Sequence, residues 1–179
     1  MDTRTRILDA ALGLLAKGGA QDLTQPRICK AAGVRQSHLT YYFPTIHVLL
    51  QEVAKYTLQA MTAELGKADP ARRPASLVDA AVDTAADKRR MRIVLGLVTM
   101  TDRESRLKPR MREFIKEIRQ GLAAMVRAGG LEGTSDQVAF MHSVVVGQGI
   151  LQLIRDNEEA RDEARRILEM AVDFLRRQS

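Results

Sequence analysis

Residues 25–43 constrain the fold of this chain more than any other stretch, because two short helical segments meet there at a single glycine. Gly33 can adopt the left-handed backbone conformation that ends a helix without a side-chain clash. Ile28 before it and Leu39 after it supply apolar contacts through which the two segments can cross. This is the sequence pattern of a helix-turn-helix, whose second helix can lie in the major groove of DNA. The stretch therefore predicts a DNA-binding head.

The second segment, about residues 35–43, keeps Leu39 inward and presents hydrogen-bonding side chains on its other face. Arg35 and Gln36 can each bind the edge of a base with two hydrogen bonds, which gives about 1–3 kcal/mol of discrimination between bases. Either can instead bind a phosphate, which positions the protein without reading sequence, so both roles stay open. The candidate DNA-binding residues are Thr24, Gln25, Arg27, Arg35, Gln36, Ser37, His38, Thr40, Tyr41 and Tyr42.

Apolar residues recur at helical spacing along the rest of the chain, and no segment alternates as a strand would. The sequence therefore predicts an all-α protein of about nine helices. We place a three-helix DNA-binding head in residues 1–47 and an effector-binding and dimerisation body in residues 48–179. Residues 66–75 carry two prolines and a glycine and are predicted to form a loop.

Two further features characterise the predicted body. The segment 91–100 is apolar on nearly every side, which favours a helix buried in the middle of the body. Gly147 and Gly149 lie inside another predicted helix, where glycine costs up to about 1 kcal/mol relative to alanine. They therefore indicate the close approach of a second backbone. The basic cluster 88–92 opposes the dipole at a helix start, and the sequence offers no explanation of it.

The composition favours some classes of protein and excludes others. Lys and Arg number 28 against 22 Asp and Glu, a formal charge of +6 that suits a polyanionic partner. The single Cys29 cannot form an intramolecular disulfide, which fits a reducing cytosol and a cytoplasmic location. No signal peptide is recognisable, and no apolar run approaches the roughly 20 residues that span a bilayer, so no membrane contact is expected. Since no catalytic set, metal-ligand cluster or phosphate loop is recognisable, we predict no enzymatic activity, metal or cofactor.

The pattern of the head resembles that of the TetR family of bacterial transcriptional regulators. The likeness covers roughly residues 4–50 and is carried by Ile7–Ala11 with Gly18-Gly19, Leu23-Thr24, Ile28, Ala31–Val34, Leu39, Tyr42-Phe43 and Leu49-Leu50. The resemblance implies a homodimer that binds a palindromic double-stranded operator, usually as a repressor, and a body that binds a small-molecule effector. By position it implies a phosphate contact for Thr24, a DNA-backbone contact for Tyr42 and base reading at residues 35–38.

Three positions depart from the family pattern. Thr40 stands where Tyr is usual, with Tyr41 one place later, so the phosphate contact can come from either. Arg35 stands where a capping Ser or Thr is common, and Ile46 stands where Lys is common. These departures bear on the operator sequence and on affinity, and they leave the expected fold unchanged.

Two sites in the body follow from the resemblance and the residue pattern. Methionine adapts to ligands of varied shape, although it more often serves packing. His142 can likewise be either a histidine of the core or a residue of the pocket. The candidate effector pocket comprises Met91, Leu95, Met100, Met111, Phe114, Met125, Met141 and His142. Subunits are expected to pair through the last two helices, with candidate interface residues Val145, Gly149, Gln152, Ala164, Leu168 and Val172.

Two alternative functions stay open. One is an all-α enzyme, against which the lack of an acid, base and nucleophile set argues. The other is a helical binding protein with degenerate, non-specific DNA binding and no operator, which Thr40 and Ile46 leave open.

Overall fold

The computed structural model describes residues 2–66 and 76–177, and in these residues it contains nine α-helices and no β-strand. The helices are α1 Thr3–Gly18, α2 Gln25–Ala32, α3 Gln36–Tyr42, α4 Ile46–Gly66, α5 Leu77–Ala86, α6 Lys88–Arg103, α7 Lys108–Ala128, α8 Ser135–Arg155 and α9 Glu158–Arg176. Short 3₁₀ turns at Ala20–Asp22 and Ser105–Leu107 precede α2 and α7. The predicted all-α fold is confirmed. The predicted loop at residues 66–75 lies, after Gly66, outside the described residues.

Two compact units divide the chain. One comprises Met1–Ala63 with Arg92–Phe114, and the other comprises Glu64–Met91 with Ile115–Ser179. The first unit therefore holds α1 to α3 and most of α4, whereas the second holds α5, α8, α9 and most of α7. The division into residues 1–47 and 48–179 was drawn by function rather than by compactness, and it stays a prediction.

An apolar core holds the helices of the head together in the first unit. Each of α1, α2 and α3 contributes a fully enclosed side chain, namely Ile7, Ile28 and Leu39, and Phe43 directly after α3 is enclosed as well. Burying one such side chain contributes about 1.5–3 kcal/mol. The two helices of the predicted helix-turn-helix are therefore fixed by packing and not only by the turn between them.

Contacts from α4 and α6 attach α1 to the rest of the first unit. Tyr56 of α4 donates a hydrogen bond to Asp9, and this bond raises the pKa of the Tyr56 phenol because it stabilises the protonated form. Gly96 allows α6 to approach α1 closely, since a Cβ at that position would lie 2.3 Å from Leu15 Cδ1.

The core of the second unit lies among α5, α8, α9 and the end of α7. Its enclosed residues include Ala85, Val126, Met141 and Leu168. Gly149 brings α8 close to its neighbours, because a Cβ there would lie 2.5 Å from Met91 Sδ and 3.2 Å from the Ala85 carbonyl oxygen. The close approach predicted for Gly149 is therefore present. At Gly147 it is absent within the described protomer, where a Cβ would meet nothing within 4 Å.

Side chains satisfy the first turns of the helices in the second unit. Thr134 and Gln137 form a capping box at the start of α8. At the start of α6, Asp87 accepts a hydrogen bond from the Arg90 amide at 3.0 Å, and Lys88 pairs with Asp156. Acidic partners thus offset two of the four cations of the 88–92 cluster, Lys88 and Arg90, which helps the basic helix start to be tolerated.

The prediction that the segment 91–100 forms a helix buried in the middle of the body is wrong. Met91 and Leu97 are buried, but Leu95 is exposed and Val98 is 57% exposed. A helix of this length turns only part of its circumference toward its packing partners, and isolated apolar side chains on a protein surface are common. Apolar composition alone therefore overstated how much of α6 is covered.

One described helix, α8, is long and apolar enough to cross a bilayer by length and composition alone. This measure is an average over a window, and polar residues such as Gln137, His142 and Gln148 interrupt α8, so it does not contradict the expectation that no apolar run approaches 20 residues. Only 33% of its most apolar window is buried within the protomer. Helices of soluble proteins pass the same test, and α8 also buries the polar side chains of Gln137 and Gln152.

Candidate nucleic-acid interface

The turn between α2 and α3 has the geometry of the predicted helix-turn-helix. Gly33 has φ 64° and ψ 39°, a left-handed conformation that a side chain would strain. The Val34 amide bonds the Cys29 carbonyl oxygen at 3.0 Å, which closes the end of α2 in the manner of a Schellman motif. Arg35 follows in an extended conformation and immediately precedes the first turn of α3. One glycine therefore sets the angle at which α3 leaves α2.

Arg6 of α1 holds this turn from the side. Its Nη2 atom donates to the Ala32 carbonyl oxygen at 2.9 Å and to the Gly33 carbonyl oxygen at 3.3 Å. These carbonyls lie at the end of α2, where unpaired acceptors and the helix dipole favour a cation. Sequence reasoning missed this role, because the contact joins residues 26 and 27 positions apart and leaves no local pattern.

The other end of α3 is held by an aromatic side chain and an ion pair. Phe43 is enclosed, and the guanidinium carbon of Arg4 lies 5.8 Å from the centroid of its ring. The same guanidinium pairs with Glu52 of α4. Side chains from α1 thus hold the turn before α3 and the aromatic residue after it, which favours a defined orientation of the helix.

The outward face of α3 carries the predicted DNA-binding side chains. Arg35, Ser37 and His38 are exposed, and in the described part of the chain their side chains make no hydrogen bond or ion pair. Tyr41 is 79% exposed, and its ring meets the Tyr42 ring edge to face at a centroid distance of 5.1 Å. Hydrogen-bonding groups at these positions are therefore free to contact an external partner.

Gln36 is exposed but is not free, because side chains of α2 hold it. Its Nε2 atom donates to Gln25 Oε1 at 2.7 Å, and its Oε1 atom accepts a weak hydrogen bond from Cys29 Sγ at 3.9 Å. Thr40 Oγ1 lies within hydrogen-bond distance of two backbone carbonyls of α3, at 3.1 and 3.2 Å. Base or phosphate contacts by these side chains would therefore compete with, or build on, existing bonds.

The two predicted residues at the start of α2 behave differently from each other. Thr24 occupies the N-cap position, but its hydroxyl makes no capping hydrogen bond and is exposed. Arg27 is exposed, yet its guanidinium makes two hydrogen bonds to the Asp22 carboxylate, at 2.6 and 2.9 Å. Because the arginine is already neutralised, a phosphate contact through Arg27 requires that ion pair to open.

An open groove of about 490 Å³ adjoins the start of α2 and the turn between α3 and α4. It is lined by Leu23, Thr24, Gln25, Pro26, Pro44, Thr45 and Ile46. Two helix starts border this groove, and the amide dipoles at helix starts favour anions. The side chain of Ile46 is apolar, so it adds no electrostatic attraction for a phosphate, whereas a lysine at this position would.

The predicted effector-pocket residues do not share one environment. Met91, Met100, Phe114 and Met141 are buried, Met111 and His142 are half-buried, and Leu95 and Met125 are exposed. Four of the eight residues lie in one compact unit, and the other four lie in the second. The pocket assignment therefore stays a prediction.

The six predicted interface residues are all buried inside the protomer. They are Val145, Gly149, Gln152, Ala164, Leu168 and Val172. Another face of α8 and α9 carries exposed apolar side chains instead, including Ile154 at 77% and Met170 at 65% exposure. Periodicity showed that both helices have apolar faces, but it could not tell the face inside the protomer from the face outside it.

The titratable groups of the described residues add no catalytic set. No group of three or more His, Cys, Asp or Glu side chains that could hold a metal occurs among them. Burial raises the pKa of the Cys29 thiol, which keeps it protonated and unreactive. Burial first, and the charge on Arg119 second, lower the pKa of His142, so its ring is mainly neutral near pH 7.

Comparison with known proteins finds a family model that matches the head. The family described as bacterial regulatory proteins, tetR family, matches residues 7–53, from the first turns of α1 into α4. No protein of curated function matches the sequence.

Solved structures share the fold over nearly the whole chain. A TetR transcription regulator from Haloarcula marismortui has a TM-score of 0.73 at 18% identity and covers 97% of this chain and 98% of its own. A transcriptional regulator from Saccharomonospora viridis in complex with choline has a TM-score of 0.73 at 17% identity, with 95% of each chain covered. The multidrug binding protein EbrR complexed with ethidium has a TM-score of 0.67 at 20% identity and covers 95% and 98%.

These similarities are to regulators and ligand-binding proteins rather than to enzymes. Residues 7–53 thus match the model of the tetR family of bacterial regulatory proteins, and the chain has the all-α fold of solved transcriptional regulators along nearly its whole length.

Proposed function

We propose that the protein is a homodimeric repressor that binds a palindromic operator through α3 and leaves it when a small-molecule effector binds the body. The observation that supports this most is the presentation of α3. Leu39 is 0% exposed and anchors the helix, whereas Arg35, Ser37 and His38 face solvent without partners in the described residues. The protein would act in the cytoplasm, where bacterial DNA lies.

The proposed mechanism is geometric. In a dimer, two copies of α3 would enter successive major grooves whose centres are about 34–36 Å apart. An effector that prefers a conformation with another spacing lowers operator affinity, by no more than its preference between the two states. Choline and ethidium are bound by two solved relatives of this fold, which supports a ligand-binding body here.

Variants of Arg35 test operator recognition. Fluorescence anisotropy with DNA upstream of the protein's own gene, repeated over a range of salt concentrations, measures both affinity and the number of phosphate contacts. If Arg35 reads a base, Arg35→Ala costs about 1–3 kcal/mol on the operator and little on unrelated DNA. If Arg35 binds a phosphate, affinity falls on every sequence and the salt slope drops by about one unit.

The matched control is Arg112→Ala, because Arg112 is an exposed arginine of α7 without a partner in the described residues. It removes the same charge far from α3 in sequence and should leave the operator affinity within twofold of the wild type. Binding that is weak and equal on all sequences would exclude the operator and favour the alternative of degenerate, non-specific DNA binding.

The homodimer is proposed to form through the exposed apolar face of α8 and α9. Phe140 and Phe174 meet on this face with ring centroids 5.8 Å apart, and Leu151, Ile154 and Met170 extend it. Exposed apolar side chains that accumulate on two neighbouring helices support an association site there. The buried residues Val145, Gly149, Gln152, Ala164, Leu168 and Val172 would then support the interface from within the protomer.

Sedimentation at micromolar concentration tests this interface. A charge at its centre, in Ile154→Glu, should convert the dimer to monomers, because an unpaired buried charge costs several kcal/mol. Val98→Glu is the matched control, since Val98 is an exposed apolar residue on α6, outside the proposed face. An Ile154→Glu protein that stays dimeric, or a monomeric wild type, would refute the proposed interface.

A further inference from the structure

The net positive charge of the chain is concentrated in the compact unit that contains α3. This unit, Met1–Ala63 with Arg92–Phe114, has 13 Lys and Arg side chains against seven Asp and Glu, whereas the other unit has 15 of each kind. The whole excess of six positive charges therefore belongs to the first unit. A basic surface confined to one part of a protein is the electrostatic footprint of a polyanionic partner.

Part of this excess lies outside the predicted DNA-binding residues, in the connection between α6 and α7. Residues 102–112 include five Lys and Arg against two Asp and Glu. Arg103, Arg106 and Lys108 are exposed, and in the described part of the chain their side chains make no hydrogen bond or ion pair. We call these three residues the connection patch. Their charges are available to an external anion.

The backbone of the connection is held in place by a buried side chain. Leu107 is only 3% exposed, and it closes the 3₁₀ turn Ser105–Leu107 that includes Arg106. The Leu107 amide donates to the Glu104 carbonyl oxygen at 3.0 Å. The three cations are therefore presented from a fixed piece of backbone, and a partner would need to order only their side chains.

One contact places this connection beside the start of α4. His47 Nδ1 lies 4.0 Å from Glu104 Oε2, and both residues belong to the first unit. His47 is five positions after Tyr42, the last residue of α3, so at most about 18 Å of chain separates them. This is about half of one helical turn of DNA, which is about 34–36 Å long. The connection therefore lies close enough to α3 to meet the same duplex.

The start of α7 has a cation that its own helix disfavours. Lys108 is the first residue of α7, and the first turn has no acidic residue. Helix starts repel cations and attract anions, and their unpaired amides can bind a phosphate. Arg103 differs, because it lies in the last turn of α6, where a cation is favourable. Helix stability thus explains Arg103 but not Lys108, and a bound phosphate would offset the repulsion at Lys108.

We propose that the connection patch is a second DNA-contacting surface, which binds backbone phosphates of the operator outside the base pairs read by α3. The contact is independent of sequence, because phosphates position a protein without specifying bases. The inference rests on the proposed operator binding and adds contacts beyond α2 and α3. Arg112 lies about 6 Å farther along α7 than Lys108, near residue 114, where the chain leaves this unit. It is not part of the patch.

Salt-dependent anisotropy tests the patch on operator DNA and on an unrelated duplex of the same length. The triple variant Arg103→Gln, Arg106→Gln, Lys108→Gln should bind both duplexes at least tenfold more weakly at about 0.1 M salt. Each lost phosphate contact lowers the slope of log affinity against log salt by about 0.9. We expect the slope of the dimer to fall by at least about two units. Affinity within twofold of the wild type, with an unchanged slope, would overturn the proposal.

A second triple variant controls for the loss of net charge. Lys116→Gln, Arg127→Gln, Arg161→Gln removes the same charge from exposed positions of the other unit, whose side chains have no partner among the described residues. It should bind the operator within twofold of the wild type. If it weakened binding as much as the patch variant did, the effect would be one of net charge alone and the patch would be refuted.

Urea denaturation separates DNA contact from folding. Lys108→Gln removes a cation from a helix start, so its unfolding midpoint should not fall below that of the wild type, although its DNA affinity should fall. A structural role for Lys108 would give the opposite pattern. A Lys108→Gln protein with a lowered midpoint and unchanged affinity once fully folded would contradict the proposal.

Ethylation interference locates the contact on the operator. Some phosphates should block binding of the wild type when they are ethylated but should not affect the patch variant. These phosphates should lie outside the base pairs whose identity affects binding. If the patch variant depended on every phosphate that the wild type requires, the patch would not touch DNA.

Failure of the patch and failure of the proposed function give different results. A patch variant that binds the operator as tightly as the wild type refutes the patch alone. A wild type that binds all duplexes equally, with a loss in the patch variant, refutes the operator and supports the patch. Binding of phosphatidylglycerol vesicles that is lost in the patch variant, with DNA affinity unchanged, would assign the patch to a lipid surface and overturn the proposal.

Discussion

Arg6→Ala is expected to lower the free energy of unfolding by about 2 kcal/mol, because it removes the hydrogen bonds that hold the turn between α2 and α3. Hydrogen bonds to charged groups contribute about 1.5–3 kcal/mol net, and a cation at a helix end adds about 0.3–1 kcal/mol. The bond to the Ala32 carbonyl oxygen is 2.9 Å long, but the one to the Gly33 carbonyl oxygen is longer, at 3.3 Å. Arg6 is also only half-buried, so we place the total near the lower end of the range.

The change should also weaken operator binding, since the two carbonyls that Arg6 holds lie directly before the recognition helix. We expect about a tenfold loss, equivalent to about 1.4 kcal/mol, at concentrations where the variant is fully folded. Urea denaturation followed by circular dichroism gives the stability change. Protein concentration must be held fixed, because dimerisation couples to unfolding.

Two variants make the reasoning testable in detail. Arg6→Lys keeps the charge but not the planar fork, so it should recover part of the loss. Arg112→Ala removes a charge without breaking a contact among the described residues, and such surface changes usually stay within about 0.5 kcal/mol. If Arg6→Ala also changed the free energy of unfolding by less than about 0.5 kcal/mol, the hydrogen bonds of Arg6 would not stabilise the turn and the reasoning would be refuted.

Three further changes probe the second unit, each by denaturation. Gly149→Ala should destabilise the protein by about 1–3 kcal/mol through overpacking, because a Cβ at Gly149 would lie 2.5 Å from buried Met91 Sδ. Gly121→Ala is the control, since a Cβ there would meet nothing within 4 Å. Thr134→Ala should cost about 1 kcal/mol by removing the capping box of α8. Because folding lowers the pKa of His142, its contribution to the free energy of unfolding should be complete above the unfolded pKa of about 6.5. That contribution should be lost as the pH falls toward the lower folded pKa. A His142→Gln protein whose stability varies with pH as steeply as that of the wild type would contradict this.

Local rules were sufficient to predict the head. Gly33 ends α2 in the left-handed conformation and Leu39 is enclosed, because each of these depends on residues within a few positions of one another. The role of Arg6 was out of reach, since the residues it holds are distant in sequence and nothing in the local pattern marks the contact.

The body was harder to predict because its helices are apolar on more than one face. Leu168 and Val172 were predicted to meet a partner subunit but lie in the core of the second unit, whereas Ile154 and Met170 are exposed. Hydrophobic spacing identifies a face, but only packing decides which partner covers it.

The hydrogen bond between Gln36 and Gln25 means that the first residue of α3 does not act independently of α2. A substitution at position 36 would release Gln25 as well, and a substitution at position 25 would free the Gln36 amide to rotate. We therefore expect that a change of DNA sequence preference through Gln36 requires two coordinated replacements, one at position 36 in α3 and one at position 25 in α2. Selection experiments that randomise α3 alone would undersample the workable combinations, whereas libraries that vary both positions together should recover new specificities at higher frequency.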